Sequence, residues 1–168
     1  MKSAIIAGIM VVAILLTGCG KKSSSATTLT AQPEIILEPA LTAWQSGDKT
    51  TATSNFLAMD WNSAPSSAPS STLSISEVQF KTLSNADRQA KSLKMTAQLQ
   101  SLRDLASSVE EAGRDAVLKG DMAQARKCFT SLKQCGTALD NPDYLQIVQL
   151  TGQAMKKMSD KDMAKIPQ

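Results

Sequence analysis

The three cysteines are the first residues of this chain to consider for catalysis or metal binding, since the chain contains no histidine. Without histidine, a Ser-His-Asp triad, a Cys-His pair and the two-histidine zinc helix of metalloproteases cannot form. Cys19 lies near the N-terminus, and Cys128 and Cys135 lie far along the chain. Two thiols without a histidine or a further cysteine do not make a zinc site. The composition therefore predicts a non-catalytic protein that holds no metal ion and no dissociable cofactor.

Two further patterns could support catalysis, and both have simpler explanations. Ser46 and Lys49 match the Ser-x-x-Lys spacing of penicillin-interacting serine enzymes, but the companion motifs are missing and the chain is too short for that fold. Paired carboxylates could transfer protons, yet we expect the acidic stretch to be a solvated helix face. Its neutralising partners would be Arg103, Arg114 and Lys119. The acidic residues concerned are Asp104, Glu110, Glu111 and Asp115.

The spacing of Cys128 and Cys135 favours buried thiols over a disulfide. In a continuous helix, residues seven positions apart have Cα atoms roughly 10 Å apart, beyond the ~7 Å that a disulfide can bridge. A disulfide between them is the alternative, because an oxidising compartment favours disulfide formation. Buried free cysteines behave as small hydrophobic residues. Both cysteines belong to an apolar stripe at helical spacing, composed of Ala125, Cys128, Phe129, Leu132, Cys135 and Leu139.

The N-terminus has the pattern of a secretory signal peptide. Lys2 supplies a positive charge, and residues 4–16 are uninterrupted apolar or small residues. This run is shorter than the roughly 20 apolar residues that a membrane-spanning helix requires, and it suits the core of a signal peptide. The chain becomes polar and basic directly after Cys19, in the sequence "GCGKK". We therefore expect residues 1–18 to be a signal peptide.

The tetrapeptide Leu16-Thr17-Gly18-Cys19 resembles the lipobox of bacterial lipoproteins. The resemblance implies cleavage between Gly18 and Cys19, diacylglycerol on the Cys19 sulfur and an acyl chain on its amine. It also implies a membrane-anchored location in the cell envelope. Gly20 stands where Asp is associated with inner-membrane retention in Gram-negative lipoproteins, which favours the periplasmic face of the outer membrane. The alternatives are a cleaved secretory peptide with an incidental cysteine, or an uncleaved anchor.

Composition divides the remaining chain into a tether and a helical region. Residues 19–32 are rich in Ser and Thr and are predicted to form a flexible tether. Residues 64–75 contain the Pro/Ser-rich stretch "APSSAPSST" and are predicted to form a surface loop between an N-terminal hairpin, 33–63, and a C-terminal region, 76–168. Once Lys2, Lys21 and Lys22 are set aside, basic and acidic residues balance. This balance gives no indication of nucleic-acid binding.

Apolar periodicity predicts an all-α protein with one long central helix. Strand signals are poor, because β-branched runs and alternating patterns are short. Pro39 suits the first turn of a helix, Ser76 with Gln79 matches a capping box, and Ser84 suits the start of the longest helix. The predicted helices are 39–46, 50–60, 76–81, 85–119, 122–139 and 143 to 158 or beyond.

A short phrase occurs twice, as Gly-Asp, three residues, Ala, three residues, Phe. The first copy is Gly47, Asp48, Ala52 and Phe56, and the second is Gly120, Asp121, Ala125 and Phe129. The phrase resembles the inner half of a tetratricopeptide helical hairpin, in which Gly-Asp makes the turn and the Ala and Phe pack between the helices. Any antiparallel helix pair that uses Gly-Asp as its turn is the alternative. We therefore expect an irregular bundle of tetratricopeptide-like hairpins.

The tetratricopeptide resemblance extends to two further positions. Gly113 lies where the first helix of the second hairpin usually has a small residue. A third, degraded copy is predicted at Gly152, Ser159, Asp160 and Ala164. At least three units are normally needed for a stable array, so this third copy bears on how regular the fold can be.

The predicted function is that of a lipid-anchored, non-catalytic module that binds an envelope protein. The alternative is a small-ligand carrier or an accessory subunit of an envelope enzyme or transporter. A pocket of several hundred Å³ would favour the carrier, and a shallow open groove would favour the module. Whichever of Trp44 and Trp61 is exposed is the candidate partner contact, because Trp is enriched at binding hot spots. Met155 and Met158 either line an adaptable groove or belong to the core.

Overall fold

In a computed structural model, the described residues are 37–59, 61 and 72–166, and they form six helices with no strand longer than a single bridge. The predicted all-α fold with one long central helix is confirmed. The predicted signal peptide, the lipobox with Gly18 and Cys19, and the tether lie outside the described residues. The helices are α1 (Glu38–Gln45), α2 (Lys49–Ala58), α3 (Glu77–Thr82), α4 (Asn85–Leu118), α5 (Met122–Leu139) and α6 (Gln146–Met163).

The predicted helix starts are present where a side chain caps the backbone. Pro39 lies in the first turn of α1. The Ser76 hydroxyl accepts from the backbone N–H of Gln79, and the Gln79 side chain accepts from the Ser76 N–H, which completes the capping box. Ser84 caps α4 by accepting from the N–H of Asp87 at 3.1 Å. These local hydrogen bonds fix where each helix begins.

The last helix begins three residues later than predicted. The Asn141 side chain accepts from the N–H of Asp143 at 2.9 Å, which forms a local turn instead of a helix start. Tyr144 then pairs with Ser76 in an isolated antiparallel bridge. The start at Asp143 was therefore wrong, and α6 begins at Gln146.

The two copies of the repeated phrase form the same turn. Gly47 and Gly120 both have a positive φ, at 86° and 77°, which favours glycine. Asp48 accepts from the N–H of Thr51 and Asp121 from that of Gln124, both at 3.0 Å. Each aspartate therefore caps the second helix of its hairpin, α2 in the first case and α5 in the second.

The small and aromatic residues of the phrase are core residues in both copies. Ala52, Ala125, Phe56 and Phe129 are all fully buried. A Cβ atom at Gly113 would lie only 2.7 Å from the Phe129 ring, so the small residue there makes room for that ring. The repeat thus encodes two similar helical hairpins, α1–α2 and α4–α5.

The predicted third copy of the phrase is wrong. Ser159 and Asp160 lie inside the continuous helix α6, which makes no turn there. Ser159 is buried, and its hydroxyl donates to the Phe129 carbonyl of α5 at 2.6 Å. This segment therefore serves as a packing face for α5 and does not begin a further hairpin.

Helix α5 lies at the centre of the C-terminal part, where it packs most extensively against α6 and then against α4. The α5–α6 contact is a close backbone approach at Gly136 and Gly152. A Cβ atom at Gly152 would lie 2.5 Å from the Gly136 carbonyl oxygen, and one at Gly136 would lie 2.6 Å from the Gly152 carbonyl oxygen. Only glycine at both positions permits this distance between the helices.

The two parts of the chain on either side of the Pro/Ser-rich stretch share one core. Helices α1 and α2 pack against α4, and α2 also contacts α5. Residues 62–71 lie outside the described part of the chain, and the end of the predicted surface loop is buried, since Leu73 is fully covered. The surface-loop prediction for the stretch that ends at Thr72 was wrong at Thr72, which is fully buried, and Leu73 directly after it joins the core cluster.

Cys128 and Cys135 are buried free thiols, as their helical spacing predicted. Burial raises the pKa of both thiols, which keeps them protonated and unreactive. They contribute apolar volume to the face of α5 that meets its neighbours.

Part of the acidic stretch on α4 is bound to α6 and is not a freely solvated face. Arg114 pairs with Glu110 within α4, and its Nε atom donates to buried Asp162 of α6 at 2.8 Å. Burial raises the pKa of Asp162, but hydrogen bonds from Lys165 and Arg114 outweigh it and bring the pKa to about 2. The prediction of a solvated face was therefore wrong for Glu110, which is partly buried in this interhelical cluster.

Candidate functional site

The two tryptophans predicted as candidate partner contacts differ in their exposure to solvent. Trp61 is only 7% exposed, and its ring meets that of Phe56 edge-on at a centroid distance of 5.6 Å. Trp61 is therefore a core residue and not a surface contact. Trp44 is half-buried, and the Lys49 ammonium lies 5.4 Å from its ring centroid. By the exposure criterion, Trp44 is the candidate that remains.

An open apolar groove runs between α4 and α6. These two helices both pack on α5 but contact each other much less, which leaves a seam between them. One section of the seam is a cavity of about 280 Å³. Its lining residues are Arg103, Ala106 and Ser107 of α4 and Leu150, Thr151, Ala154, Met155 and Met158 of α6. We call the whole seam the α4–α6 groove.

The α4–α6 groove continues towards the start of both helices. A second cavity of about 270 Å³ opens there, with Phe80 of α3 at its end. Along α6 the lining runs from Leu145 to Met158, which corresponds to roughly 20 Å of helix. The other lining residues of this section are Glu77, Ser92, Met95, Thr96, Leu99, Gln146 and Ile147.

Two large apolar side chains of the α4–α6 groove are half exposed to solvent. Ile147 is 50% exposed and Leu150 is 54% exposed. Exposure of apolar surface to water is unfavourable in free energy. A contiguous exposed apolar surface marks a binding site more often than isolated exposed residues do. Arg103 is the charged residue of the Leu150 section, and its guanidinium lies 3.4 Å from the Thr151 hydroxyl. The groove thus combines an apolar floor with a cationic side chain at its edge.

The shape of the α4–α6 groove can be compared with the two expected kinds of site. Each section is below 300 Å³ and open to solvent, whereas pockets that enclose a drug-sized ligand have about 300–1,000 Å³ and cover most of its surface. A long, shallow, apolar groove instead matches the site that receives one face of a helix.

The predicted site residues divide between core and surface. The glycines and aspartates of the repeated phrase make the hairpin turns, and its alanines and phenylalanines fill the core. Met155 and Met158 line the α4–α6 groove, although Met155 is largely buried. Ile147, Leu150 and Ala154 were not predicted from the sequence to line a site. Their spacing of three and four residues along α6 was the available signal for a second apolar face.

Within the described ranges, no group of three or more metal-ligating side chains lies close enough to hold an ion. None of the helices in the described part of the chain combines the length and the hydropathy needed to cross a bilayer. No protein-family model, curated protein or solved structure matches this chain. The α4–α6 groove and the N-terminal sequence are therefore the features of this chain that bear on its function.

Proposed function

We propose that this chain is a lipid-anchored, non-catalytic interaction module of the bacterial cell envelope, whose α4–α6 groove binds an amphipathic helix of a partner protein. The observation that carries this proposal is the open apolar groove with half-exposed Ile147 and Leu150. Association with a second apolar face would remove both side chains from water. The favourable free energy of this burial is about 25 cal/mol per Å² of apolar surface. The absence of histidine is consistent with a role that does not involve catalysis.

The dimensions of the groove support a helical occupant. A lining of roughly 20 Å accommodates about four turns of an α-helix, whose residues at i, i+3, i+4 and i+7 form one apolar stripe. Met155 and Met158 lie in the groove, and flexible thioethers adapt to different apolar partners. Arg103 at the edge would pair with an acidic residue beside that stripe.

The proposed location follows from the N-terminal sequence. Lipidation of Cys19 would attach the chain to the membrane, with residues 19–32 between the lipid and the helical domain. In a Gram-negative cell, Gly20 favours the periplasmic face of the outer membrane. The partner in this proposal is therefore a protein of the envelope.

A photo-crosslinking side chain placed at Leu150 is expected to capture one dominant protein in living cells. The matched control is the same side chain at Leu118, which is 85% exposed and lines neither section of the groove. Adducts are separated by size and identified by mass spectrometry. The dominant adduct should also disappear when Ala154, an exposed residue that lines the groove, is replaced by Glu.

Two outcomes of the crosslinking experiment would overturn the proposal. One is an identical set of adducts from Leu150 and Leu118, which would mean that the groove has no preferred occupant. The other is the absence of protein adducts combined with a small molecule that co-purifies with the chain. That result would support the carrier function instead.

A further inference from the structure

A second groove lies on the other side of α4, between α2, α4 and α5. Its volume is about 590 Å³, and its walls differ in chemistry from those of the α4–α6 groove. We call it the lysine groove, because Lys49 of α2 and Lys127 of α5 both line it. The other lining residues are Thr50, Thr53, Ser54, Leu57, Ala58, Ser108, Ala112 and Gln124.

The lysine groove carries positive charge without a compensating acid in its lining. Neither Lys49 nor Lys127 forms an ion pair within the described part of the chain, whereas Lys133 and Lys156 each contact a carboxylate. Hydroxyl and amide side chains supply hydrogen-bonding groups, and Leu57 supplies an apolar surface. This set of groups complements a ligand that has dispersed negative charge, hydrogen-bonding groups and small apolar parts.

The helix starts beside the lysine groove are already capped and do not form a phosphate site. Asp48 accepts from the N–H of Thr51, and Asp121 accepts from the N–H of Gln124. Both caps place a carboxylate near the groove, which disfavours a compact, doubly charged phosphate. Carboxylates distributed along a peptide can contact the two lysines separately and avoid the capping aspartates. A concave groove also suits a chain segment better than it suits a flat bilayer surface.

We propose that the lysine groove binds an acidic, extended segment of a partner protein, with carboxylates at Lys49 and Lys127. The hydroxyl groups of Thr50, Thr53 and Ser108 would bond to the backbone of the segment. Trp44 lies under the Lys49 ammonium and would flank the bound segment. This site is separate from the α4–α6 groove, so it does not depend on the proposed helix binding.

The proposal is tested with two labelled peptides and the full chain in detergent. One peptide alternates Glu and Ala over eight residues, and the other has Gln in place of Glu. We expect the Glu peptide to bind, and we expect the double variant Lys49→Gln, Lys127→Gln to weaken that binding about tenfold. The control is the double variant Lys94→Gln, Lys119→Gln, which removes two exposed lysines outside the groove and should leave the affinity unchanged.

Each remaining outcome of the peptide experiment has a defined meaning. Equal weakening by both double variants, or equal binding of the Gln peptide, would overturn the proposal, because the lysine groove would then have no specific role. Phosphatidylglycerol in mixed detergent micelles, and inorganic phosphate, are tested as competitors. If either displaces the Glu peptide at lower concentration than unlabelled peptide does, the groove prefers lipid headgroups or phosphate, and the assignment to a protein segment is wrong. Circular dichroism melts confirm that every variant is folded.

Discussion

Replacement of Cys19 by Ala is expected to abolish anchoring of the mature protein to the membrane. Each buried methylene of an acyl chain contributes about 0.8 kcal/mol to membrane attachment, and one chain alone gives only marginal, reversible binding. The lipobox resemblance implies two or three chains on Cys19, which would make release negligible in the wild type. Without the Cys19 thiol no diacylglycerol can be attached. The protein should therefore be recovered as soluble material or as the unprocessed precursor.

The measurement is fractionation followed by intact mass determination. The mass distinguishes the precursor, which retains residues 1–18, from a lipidated mature chain that begins at Cys19. Cys128→Ala is the matched control, because Cys128 is a buried free thiol and its replacement should leave both the lipid mass and the membrane fraction unchanged. Recovery of Cys19→Ala as mature, membrane-bound protein would contradict the anchoring proposal.

Replacement of Gly152 by Ala is expected to lower the free energy of unfolding more than the other substitutions considered. The added Cβ would lie 2.5 Å from the Gly136 carbonyl oxygen, 2.8 Å from the Asp140 nitrogen and 2.9 Å from the Leu139 Cβ. Two of these atoms belong to the backbone, so α5 and α6 must move apart to accommodate it. Overpacking of this kind costs about 1–3 kcal/mol, and the gain in helix propensity from Gly to Ala returns only about 1 kcal/mol. Because backbone atoms oppose the new methyl group, we expect a net loss of about 2 kcal/mol.

Thermal unfolding measures this loss of stability, and a second glycine variant shows whether any glycine replacement has the same effect. A loss of about 2 kcal/mol should lower the Tm by roughly 8 °C in a domain of this size. The control is Gly47→Ala, where no atom lies within 4 Å of the new Cβ and only the positive φ is unfavourable, at about 1 kcal/mol. A Tm of Gly152→Ala equal to that of the wild type would show that the close α5–α6 approach is not required.

The sequence was sufficient to predict most helix boundaries because these depend on local chemistry. Ser76, Ser84, Asp48 and Asp121 cap the helices that follow them, as their types and positions indicated. The repeated Gly-Asp phrase was equally local, since a positive φ at glycine and an aspartate cap define the turn without reference to the rest of the fold. These features could be predicted because their causes lie within a few residues.

Features that depend on packing between distant segments were predicted poorly. Ser159-Asp160 resembled a turn, but both residues lie in the continuous helix α6, and Ser159 is buried with its hydroxyl bonded to the Phe129 carbonyl of α5. Leu73 lies next to a polar stretch, yet the core covers it. Trp61 could equally have been a surface contact, and only the Phe56 ring beside it shows that it belongs to the core. Phe129 is remote from Ser159 in sequence, and the burial of Leu73 and Trp61 depends on the whole core cluster, which the local sequence does not show.

The sequence indicates that α6 is apolar on two faces, but it does not show which of them lines the α4–α6 groove. Val148 and Met155 belong to the core cluster, while Ile147 and Leu150 are half exposed. Helical periodicity identifies both sets as apolar but does not show which set packs against α5. The close approach at Gly136 and Gly152 fixes the rotation of α6 about its axis. It holds one face of α6 against α5 and leaves the other face beside the seam.

Co-purification with a matched pair of surface variants tests the central proposal most directly. The full chain is extracted from its own membranes as wild type, as Ile147→Glu with Leu150→Glu, and as Val78→Glu with Leu118→Glu. All four positions are exposed, so each substitution should change stability by only about 0.5 kcal/mol. We predict that one protein co-purifies in stoichiometric amount with the wild type and with the Val78, Leu118 variant, and is lost from the Ile147, Leu150 variant. Equal recovery of that protein with all three chains would contradict the proposal that the α4–α6 groove is its binding site.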